Sequence, residues 1–249
     1  IGDGVLDDDL APGVGVLETA PRAAVDQLGA EFVALFEDAG LPEGVLNFVT
    51  GCGTVLGPAL VEDPAIKAVT FTGSTDVGVE IHRLAAKNLT RTQLEMGGKN
   101  PIVVLADADL DSAADAAVLA AYACAGQWCT STSRAVVEEA VHDEFVAMLL
   151  ERVRKIRVGK GTAPDTSMGP VCGKAQLAGV LEYIRKGKDE GARLIVGGSQ
   201  IQDGELANGC FIEPTIFTEV TSDMAIAQEE IFGPVLSVLR AADFDDAVD

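Results

Sequence analysis

Short apolar segments alternate with helical segments along the first hundred residues, and this alternation is the feature that most constrains the fold. Residues 45–49 and 68–72 each form a short apolar run next to glycines or turn residues, and residues 91–96 lie directly before the Gly97-Gly98 pair, which together predict three strands. The segments between them include a small-residue helix and an amphipathic helix at 76–87. Continuous apolar strands that alternate with helices are typical of parallel sheets. The pattern therefore predicts an α/β fold with a parallel sheet.

The remainder of the 249 residues continues the alternation. Further strands are predicted at 101–105, 134–137, 193–196, 211–218 and 235–240. Further helices are predicted at 24–39, from Asp109 or Asp111 to about 122, at 141–153, 174–190 and 223–228, with a first helical turn at 243–249. Residues 1–23 are predicted to be irregular. The pair Gly97-Gly98 is the best candidate boundary, which gives two predicted domains, 1–96 and 97–249.

The charge of the chain excludes some classes of partner. Thirty-nine acidic residues against 18 basic ones give a formal net charge of −21. Such a field repels phosphate backbones and anionic lipid surfaces, so neither nucleic acid nor membrane is an expected partner. No apolar stretch reaches 18 residues and no signal peptide is visible, which predicts a cytoplasmic protein. The first residue is not Met, so processing or a longer parent protein is expected, with truncation at both ends.

The five cysteines favour a reducing compartment. Their number is odd, their spacing is wide and no CxxC pair occurs, so neither a disulfide framework nor a zinc site is expected. Metal ligation has no support elsewhere, since neither histidine has an acid or cysteine at a suggestive spacing. We therefore expect each cysteine to be a free thiol and consider each of them separately.

A glycine turn at residues 71–78 (FTGSTDVG) is the first candidate site. It joins a strand to a helix, and the helix N-terminus with the Ser74 hydroxyl could hold a phosphate. Gly73 would allow close approach of the ligand and Gly78 tight packing of the helix. The full GxGxxG fingerprint is missing, so a purely structural turn is the alternative.

Glu95, at the end of a predicted strand and next to Gly97-Gly98, is a candidate general base. Partial burial would raise the pKa of its carboxyl group towards neutrality. The alternative is an acid that faces solvent at a strand end.

Cys129 is a candidate nucleophile, because residues 126–130 (GQWCT) form a sharp break after a helix and would expose the thiol. The alternative is a small buried apolar residue, a description that fits Cys124 better. We expect the remaining cysteines to be structural: Cys52, Cys172 and Cys210. Trp128 is expected to pack or to line a pocket.

Together, in this order, these segments resemble the aldehyde dehydrogenase superfamily, most closely its bacterial semialdehyde-oxidising members. The similarity covers about residues 32–249, with residues 1–31 matching poorly. The matching segments are residues 40–51, the cofactor turn at 71–78, the glutamate motif at 94–101 (LEMGGKNP), the cysteine motif at 126–129 (GQWC) and the cofactor-ribose motif at 229–235 (EEIFGPV). The resemblance implies parts of two α/β domains: a partial Rossmann-like cofactor domain at 1–96 and a partial catalytic domain at 97–249.

The resemblance also implies a reaction. Cys129 would attack an aldehyde, hydride would leave to NAD or NADP, and water activated by Glu95 would hydrolyse the resulting thioester to a carboxylic acid. The N–H of Cys129 would be one oxyanion donor. Glu230 would hold the nicotinamide ribose and Phe232 would pack near the ring, while Gly73 and Ser74 would meet the pyrophosphate.

Departures from the family pattern leave alternatives open. The family's oxyanion asparagine falls upstream of residue 1, and residues 14–20 lack its adenosine-ribose lysine and offer Glu18 as a doubtful counterpart. The strand that joins subunits is missing, so a homo-oligomer is possible but unsupported. A cysteine-dependent esterase, which needs no cofactor, is the alternative activity, with a small aldehyde or ester as substrate. An inactive fragment that folds with a partner chain is a third possibility.

Overall fold

The computed structural model describes residues 20–248, with side chains from Asp26 onward. The predictions for residues 1–19, including Glu18, lie outside the described residues. The chain divides into two compact units between Met96 and Gly97. These are the N-terminal unit, up to Met96, and the C-terminal unit, from Gly97 onward.

Within residues 20–96, the N-terminal unit contains three α-helices and two strands: α1 (Ala20–Asp38), α2 (Gly53–Val61), β1 (Ala68–Gly73), α3 (Thr75–Ala85) and β2 (Arg91–Met96). The strands pair in parallel, with Thr72 opposite Glu95. Ser74 caps α3 by accepting a hydrogen bond from the Val77 N–H at 3.4 Å. Val61 and the end of α3 form a small buried cluster. The parallel pairing confirms the prediction for these strands.

The predicted strand at 45–49 is wrong, because the structure has no regular element there. Its apolar side chains are largely exposed: Val45 and Val49 are 65% and 61% exposed, and Phe48 is 44% exposed. A strand needs a neighbour to satisfy its backbone groups, and within residues 20–96 the sheet has two strands, β1 and β2. Apolar composition alone was an insufficient signal. Helix α1 also begins four residues earlier than predicted.

The C-terminal unit is built on a five-stranded sheet. Its elements are β3 (Asn100–Val104), α4 (Leu110–Tyr122), β4 (Thr132–Glu138), α5 (Glu139–Val153), α6 (Gly173–Asp189), β5 (Arg193–Val196), β6 (Thr215–Val220), α7 (Ala225–Gln228), β7 (Val235–Ala241) and α8 (Phe244–Val248). The strand order is β3-β4-β7-β6-β5, and only the β5–β6 pairing is antiparallel. The fold is α/β, as predicted, with a mixed rather than wholly parallel sheet.

The core of this unit lies on both faces of β6 and β7. Six of the seven residues of β7 are buried, as a central strand covered by helices requires. Helix α4, capped by Asp109, packs through a face of alanines, and α5 adds Phe145 and Leu149, both fully buried. The predicted strand at 211–218 begins at Thr215 instead, since Pro214 has no N–H to donate to a ladder.

Within residues 20–248, none of the helices has the length and apolar character needed to cross a bilayer.

Candidate active site

Cys129 lies on an exposed turn between α4 and β4. The helix ends abruptly because three successive residues adopt left-handed backbone conformations: Cys124, Ala125 and Gly126, with φ of 51°, 57° and 70°. Gly126 is required here, since a Cβ atom would lie 2.2 Å from the Gly233 carbonyl oxygen. The sharp break and the exposed thiol predicted for Cys129 are confirmed.

Cys124 corrects one prediction. We expected a small buried residue near the end of the helix, but Cys124 is exposed. The left-handed turn lifts its side chain out of the packed face of α4, and this backbone change has no sequence signal besides the glycine two residues later. Of the other cysteines, Cys172 is exposed, while Cys52 and Cys210 are partly buried.

The turn that carries Cys129 is tied to the start of β3. The Asn100 Nδ2 group donates to the carbonyl oxygens of Cys129 at 2.6 Å and of Ser131 at 3.1 Å. In the reverse direction, the Arg134 guanidinium donates to the Lys99 carbonyl oxygen at 3.1 and 2.8 Å. The glutamate-motif and cysteine-motif segments of this unit are therefore joined by four side-chain hydrogen bonds.

The Glu230 carboxylate lies against the glycine pair. The Gly98 N–H donates to its Oε1 at 3.3 Å. At Gly97, a Cβ atom would lie 1.8 Å from Oε2, so a side chain there would displace the carboxylate. Gly98 also approaches the Cys129 carbonyl oxygen, which would be 4.0 Å from an added Cβ. Glu230 and the main chain of Cys129 therefore both lie near Gly98.

Helix α6 holds the segment that carries Glu230. The Gln176 amide donates to the carbonyl oxygens of Ile231 at 3.1 Å and Phe232 at 2.8 Å, and the Tyr183 hydroxyl donates to Glu229 at 2.7 Å. Burial, and then the bond to Glu229, raise the pKa of Tyr183 to about 12. Phe232 has a left-handed backbone with φ of 52° and is 37% exposed. With Glu229 held by α6, Glu230 is the carboxylate available at the glycine pair.

A small cavity of about 10 Å³ lies among these segments. It is lined by residues that include Gly98, Trp128, Ser131, Ser133, Glu230 and Phe232. The expectation that Trp128 lines a pocket is confirmed, although its side chain is 52% exposed. A larger cavity of about 290 Å³, near Arg157 and Glu205, contains none of the predicted site residues.

Lys99 is a charged group that the sequence did not single out. Its Nζ atom is buried without a hydrogen-bond partner. Burial, and then the charge of Arg134, lower the pKa of Lys99 to about 8, while Glu230 and Glu229 act in the opposite direction. The sequence alone did not predict roles for Asn100, Lys99 and Gln176, because the groups that surround them come from distant parts of the chain.

The remaining site candidates lie in the N-terminal unit. Gly73 ends β1 and Ser74 opens α3, so both are at the helix N-terminus as predicted. Gly78 is buried, and an added Cβ would lie 2.5 Å from the Met96 sulfur, in keeping with its predicted packing role. Glu95, in β2, is exposed rather than partly buried. Strand alternation places its side chain on the open face of a two-stranded sheet.

Neither histidine contacts a predicted catalytic residue. The His82 ring bonds to Thr92 at 2.8 Å, and the buried His142 ring bonds to Asp143 at 3.0 Å. Within residues 20–248, no group of three or more histidine, cysteine or acidic side chains could hold a metal ion.

Comparison with known proteins agrees with this arrangement. The model of the aldehyde dehydrogenase family matches residues 16–249, further upstream than the predicted start near residue 32. The chain is 46% identical to an alpha-ketoglutaric semialdehyde dehydrogenase from Bacillus subtilis over 94% of this chain and 47% of that protein. It is 48% identical to a 2,5-dioxopentanoate dehydrogenase from Saccharolobus solfataricus over 96% of this chain and 50% of that protein.

Solved structures give the same answer. A betaine aldehyde dehydrogenase from Staphylococcus aureus, crystallised with NAD+, is 37% identical and superposes with a TM-score of 0.85, over 88% of this chain and 44% of that one. The chain spans about half the length of the curated relatives it matches. On sequence and on fold, the chain belongs to the aldehyde dehydrogenase family.

Proposed function

We propose that this chain carries the nucleophile and part of the cofactor site of an aldehyde dehydrogenase, which oxidises an aldehyde to a carboxylic acid with NAD or NADP. The observation that carries this proposal is the exposed thiol of Cys129, fixed on a sharp turn beside the glycine pair that also binds Glu230. The relative named as an alpha-ketoglutaric semialdehyde dehydrogenase supports a semialdehyde as the substrate class.

Cys129 begins the reaction as a nucleophile. Its thiolate adds to the aldehyde carbon, and the Cys129 N–H donates to the oxygen that becomes negatively charged. Loss of hydride converts this thiohemiacetal to a thioester. An exposed turn suits these steps, because both the aldehyde and the attacking thiol need free approach.

The residues that would hold the cofactor fit its groups. NAD or NADP, when bound, accepts the hydride. The amide groups at the N-terminus of α3 suit a pyrophosphate, with Gly73 and Ser74 at that terminus. The Glu230 carboxylate suits the two hydroxyls of the nicotinamide ribose, and Phe232, two residues further along the chain, is partly exposed.

Glu95 would activate the water that hydrolyses the thioester. Its exposure leaves the carboxylate open to water, and a carboxylate can take a proton as water attacks. The products are a carboxylic acid and the regenerated Cys129 thiol. In this proposal residues 1–96 supply Gly73, Ser74 and Glu95, and residues 97–249 supply Cys129, Glu230 and Phe232. Homo-oligomerisation and a cytoplasmic location remain predictions.

Turnover tests the proposal directly. We would mix the pure chain with a semialdehyde and with NAD+ or NADP+, and follow reduced cofactor by absorbance. Formation of NADH or NADPH that disappears in Cys129→Ala supports the proposal. Cys172→Ala, which removes another exposed thiol from the same unit, is the matched control and should retain the rate.

Ester hydrolysis separates the chemistry of the cysteine from hydride transfer. A p-nitrophenyl ester acylates the same thiol with no redox step, so it should be hydrolysed even where cofactor binding is weak. If the chain hydrolyses the ester but forms no NADH or NADPH from the semialdehyde, the result would support the esterase interpretation and contradict the dehydrogenase interpretation for this chain. Ester turnover that persists in Cys129→Ala would show that Cys129 is not the nucleophile, for the dehydrogenase and for the esterase interpretation alike.

A further inference from the structure

The carboxamide of Asn100 binds two carbonyl groups of the turn that carries Cys129. Its Nδ2 group lies 2.6 Å from the Cys129 oxygen and 3.1 Å from the Ser131 oxygen. An amide nitrogen has two N–H groups, so one side chain can satisfy both carbonyls at once. In the sequence, Asn100 is distinguished only by its place in the glutamate motif.

The backbone explains why a side chain is needed at this point. Asn100 pairs with Thr132 but the next residue, Pro101, pairs with Arg134, so the β3–β4 register shifts here. Pro101 also has no N–H to offer the ladder. The carbonyls that precede β4 therefore lack a regular strand donor, and the Asn100 amide takes that place.

We propose that Asn100 is a positioning residue for Cys129: its two hydrogen bonds fix the turn so that the thiol and the Cys129 N–H keep the geometry needed for attack and oxyanion binding. The inference rests on the proposed role of Cys129 as nucleophile. The new element is that the orientation of the turn depends on one side chain, Asn100, which belongs to another segment of the chain.

The geometry favours positioning over a chemical role. Both bonds engage main-chain oxygens rather than the thiol, so Asn100 does not donate to the reacting sulfur. The Arg134–Lys99 bonds tie the same two segments a second time and should keep them together when Asn100 is changed. Loss of Asn100 should therefore loosen the turn without separating β3 from β4.

Two substitutions and two measurements test this. Asn100→Ala removes the carboxamide, and Asn100→Asp keeps its size but has no N–H to donate. Asn208→Asp, at an exposed position in the same unit, is the control for the charge change. We would measure amide hydrogen exchange in peptides that cover residues 127–133, and the rate constant for acylation of Cys129 by p-nitrophenyl acetate across a range of ester concentrations.

We expect exchange in this segment to accelerate by about tenfold or more in both Asn100 variants, the factor that corresponds to losing two ordinary hydrogen bonds. Peptides from β6 and β7 should be unchanged. The maximal acylation rate constant should fall by about tenfold or more, while the ester concentration for half-saturation and the alkylation rate of exposed Cys124 stay as in the parent. Asn208→Asp should match the parent in all respects.

Unchanged exchange in residues 127–133 would overturn the inference, as would faster exchange with an unchanged acylation rate. A general loosening, in which Cys124 and the β6 and β7 peptides also become more reactive, would assign Asn100 to overall stability instead. If the parent chain is not acylated at Cys129 at all, the proposed function fails, and the exchange result alone then decides whether Asn100 holds the turn.

Discussion

Single residues decide whether the Cys129 turn can form, and Gly126 is the clearest case. Its φ of 70° strains any other residue, and an added Cβ would lie 2.2 Å from a backbone oxygen that cannot move cheaply. We predict that Gly126→Ala lowers the free energy of unfolding by about 2–4 kcal/mol. Chemical denaturation checks this, with Gly161→Ala as the control, because nothing lies within 4 Å of a Cβ there. Equal losses in the two variants would contradict the argument.

Lys99 predicts how stability depends on pH. Its folded-state pKa of about 8 lies below the unfolded value of about 10.4, so between these values the unfolded chain binds more protons and stability rises with pH. Below pH 8 the buried amine is protonated, and the full cost of burying its charge lowers the stability of the folded protein. Lys99→Met should therefore stabilise the protein at pH 7, by up to roughly 3 kcal/mol, and the gain should shrink as the pH rises towards 10.

Urea unfolding of the parent and Lys99→Met at pH 7 and pH 9.5 measures this difference. Lys174→Met is the matched control, because Lys174 is exposed in the same unit. A gain from Lys99→Met that is the same at both pH values would show that burial of the ammonium group costs nothing.

At the scale of elements, Tyr122 joins helix α4 to the sheet. Its buried hydroxyl donates to the Thr215 carbonyl oxygen at 2.9 Å, at the start of β6. Tyr122→Phe leaves that carbonyl without this donor and should cost about 1–2 kcal/mol in the free energy of unfolding. Tyr183→Phe removes a hydroxyl whose bond is open to solvent, so its cost should be clearly smaller. The reverse order in denaturant titrations would refute this assignment.

The elements also show what sequence patterns can reveal. Strands β1, β3, β4 and β7 were predictable because each contains an apolar run with nearby turn residues, and Asp109 marks the start of α4 by a side chain that caps it. The prediction of a strand at 45–49 was wrong, since the composition of this segment suits a strand but, within residues 20–248, no neighbouring strand pairs with it. Whether a strand forms depends on partners that local sequence does not contain.

The site was predictable to a similar extent. The turn after α4 and the residue types around it indicated Cys129, and the glycine pair indicated a close approach by another group. That the approaching group is Glu230, 132 residues downstream of Gly98, follows from tertiary packing. The Asn100 and Gln176 contacts depend on packing in the same way. The exposed Cys124 could not be predicted, because alanine-rich sequence around it favours continued helix.

At the scale of the whole molecule, the two units should differ in local stability. The C-terminal unit buries its central strands almost completely, whereas the N-terminal unit has a two-stranded sheet with side chains alternately exposed. Two-stranded sheets are marginal on their own. Large apolar side chains of its helices are also exposed, including Leu28, Phe32, Leu35 and Val55.

We therefore predict that amide groups of β6 and β7 exchange at least about 100-fold more slowly than those of β1 and β2. Hydrogen exchange of the full chain, resolved by peptide, compares them in one digest. Similar protection in all four strands would mean that the N-terminal unit is held more firmly than its buried surface implies.

The proposed function depends most on Cys129 as the residue that carries the acyl group. The direct measurement is peptide mapping by mass spectrometry after brief exposure of the chain to p-nitrophenyl acetate, in the parent, Glu95→Gln and Cys129→Ala. We predict an acetyl group on the Cys129 peptide, more of it in Glu95→Gln because hydrolysis of the thioester slows, and none on that peptide in Cys129→Ala. Acetylation of another cysteine with Cys129 unmodified, or ester turnover that survives Cys129→Ala, would contradict the account.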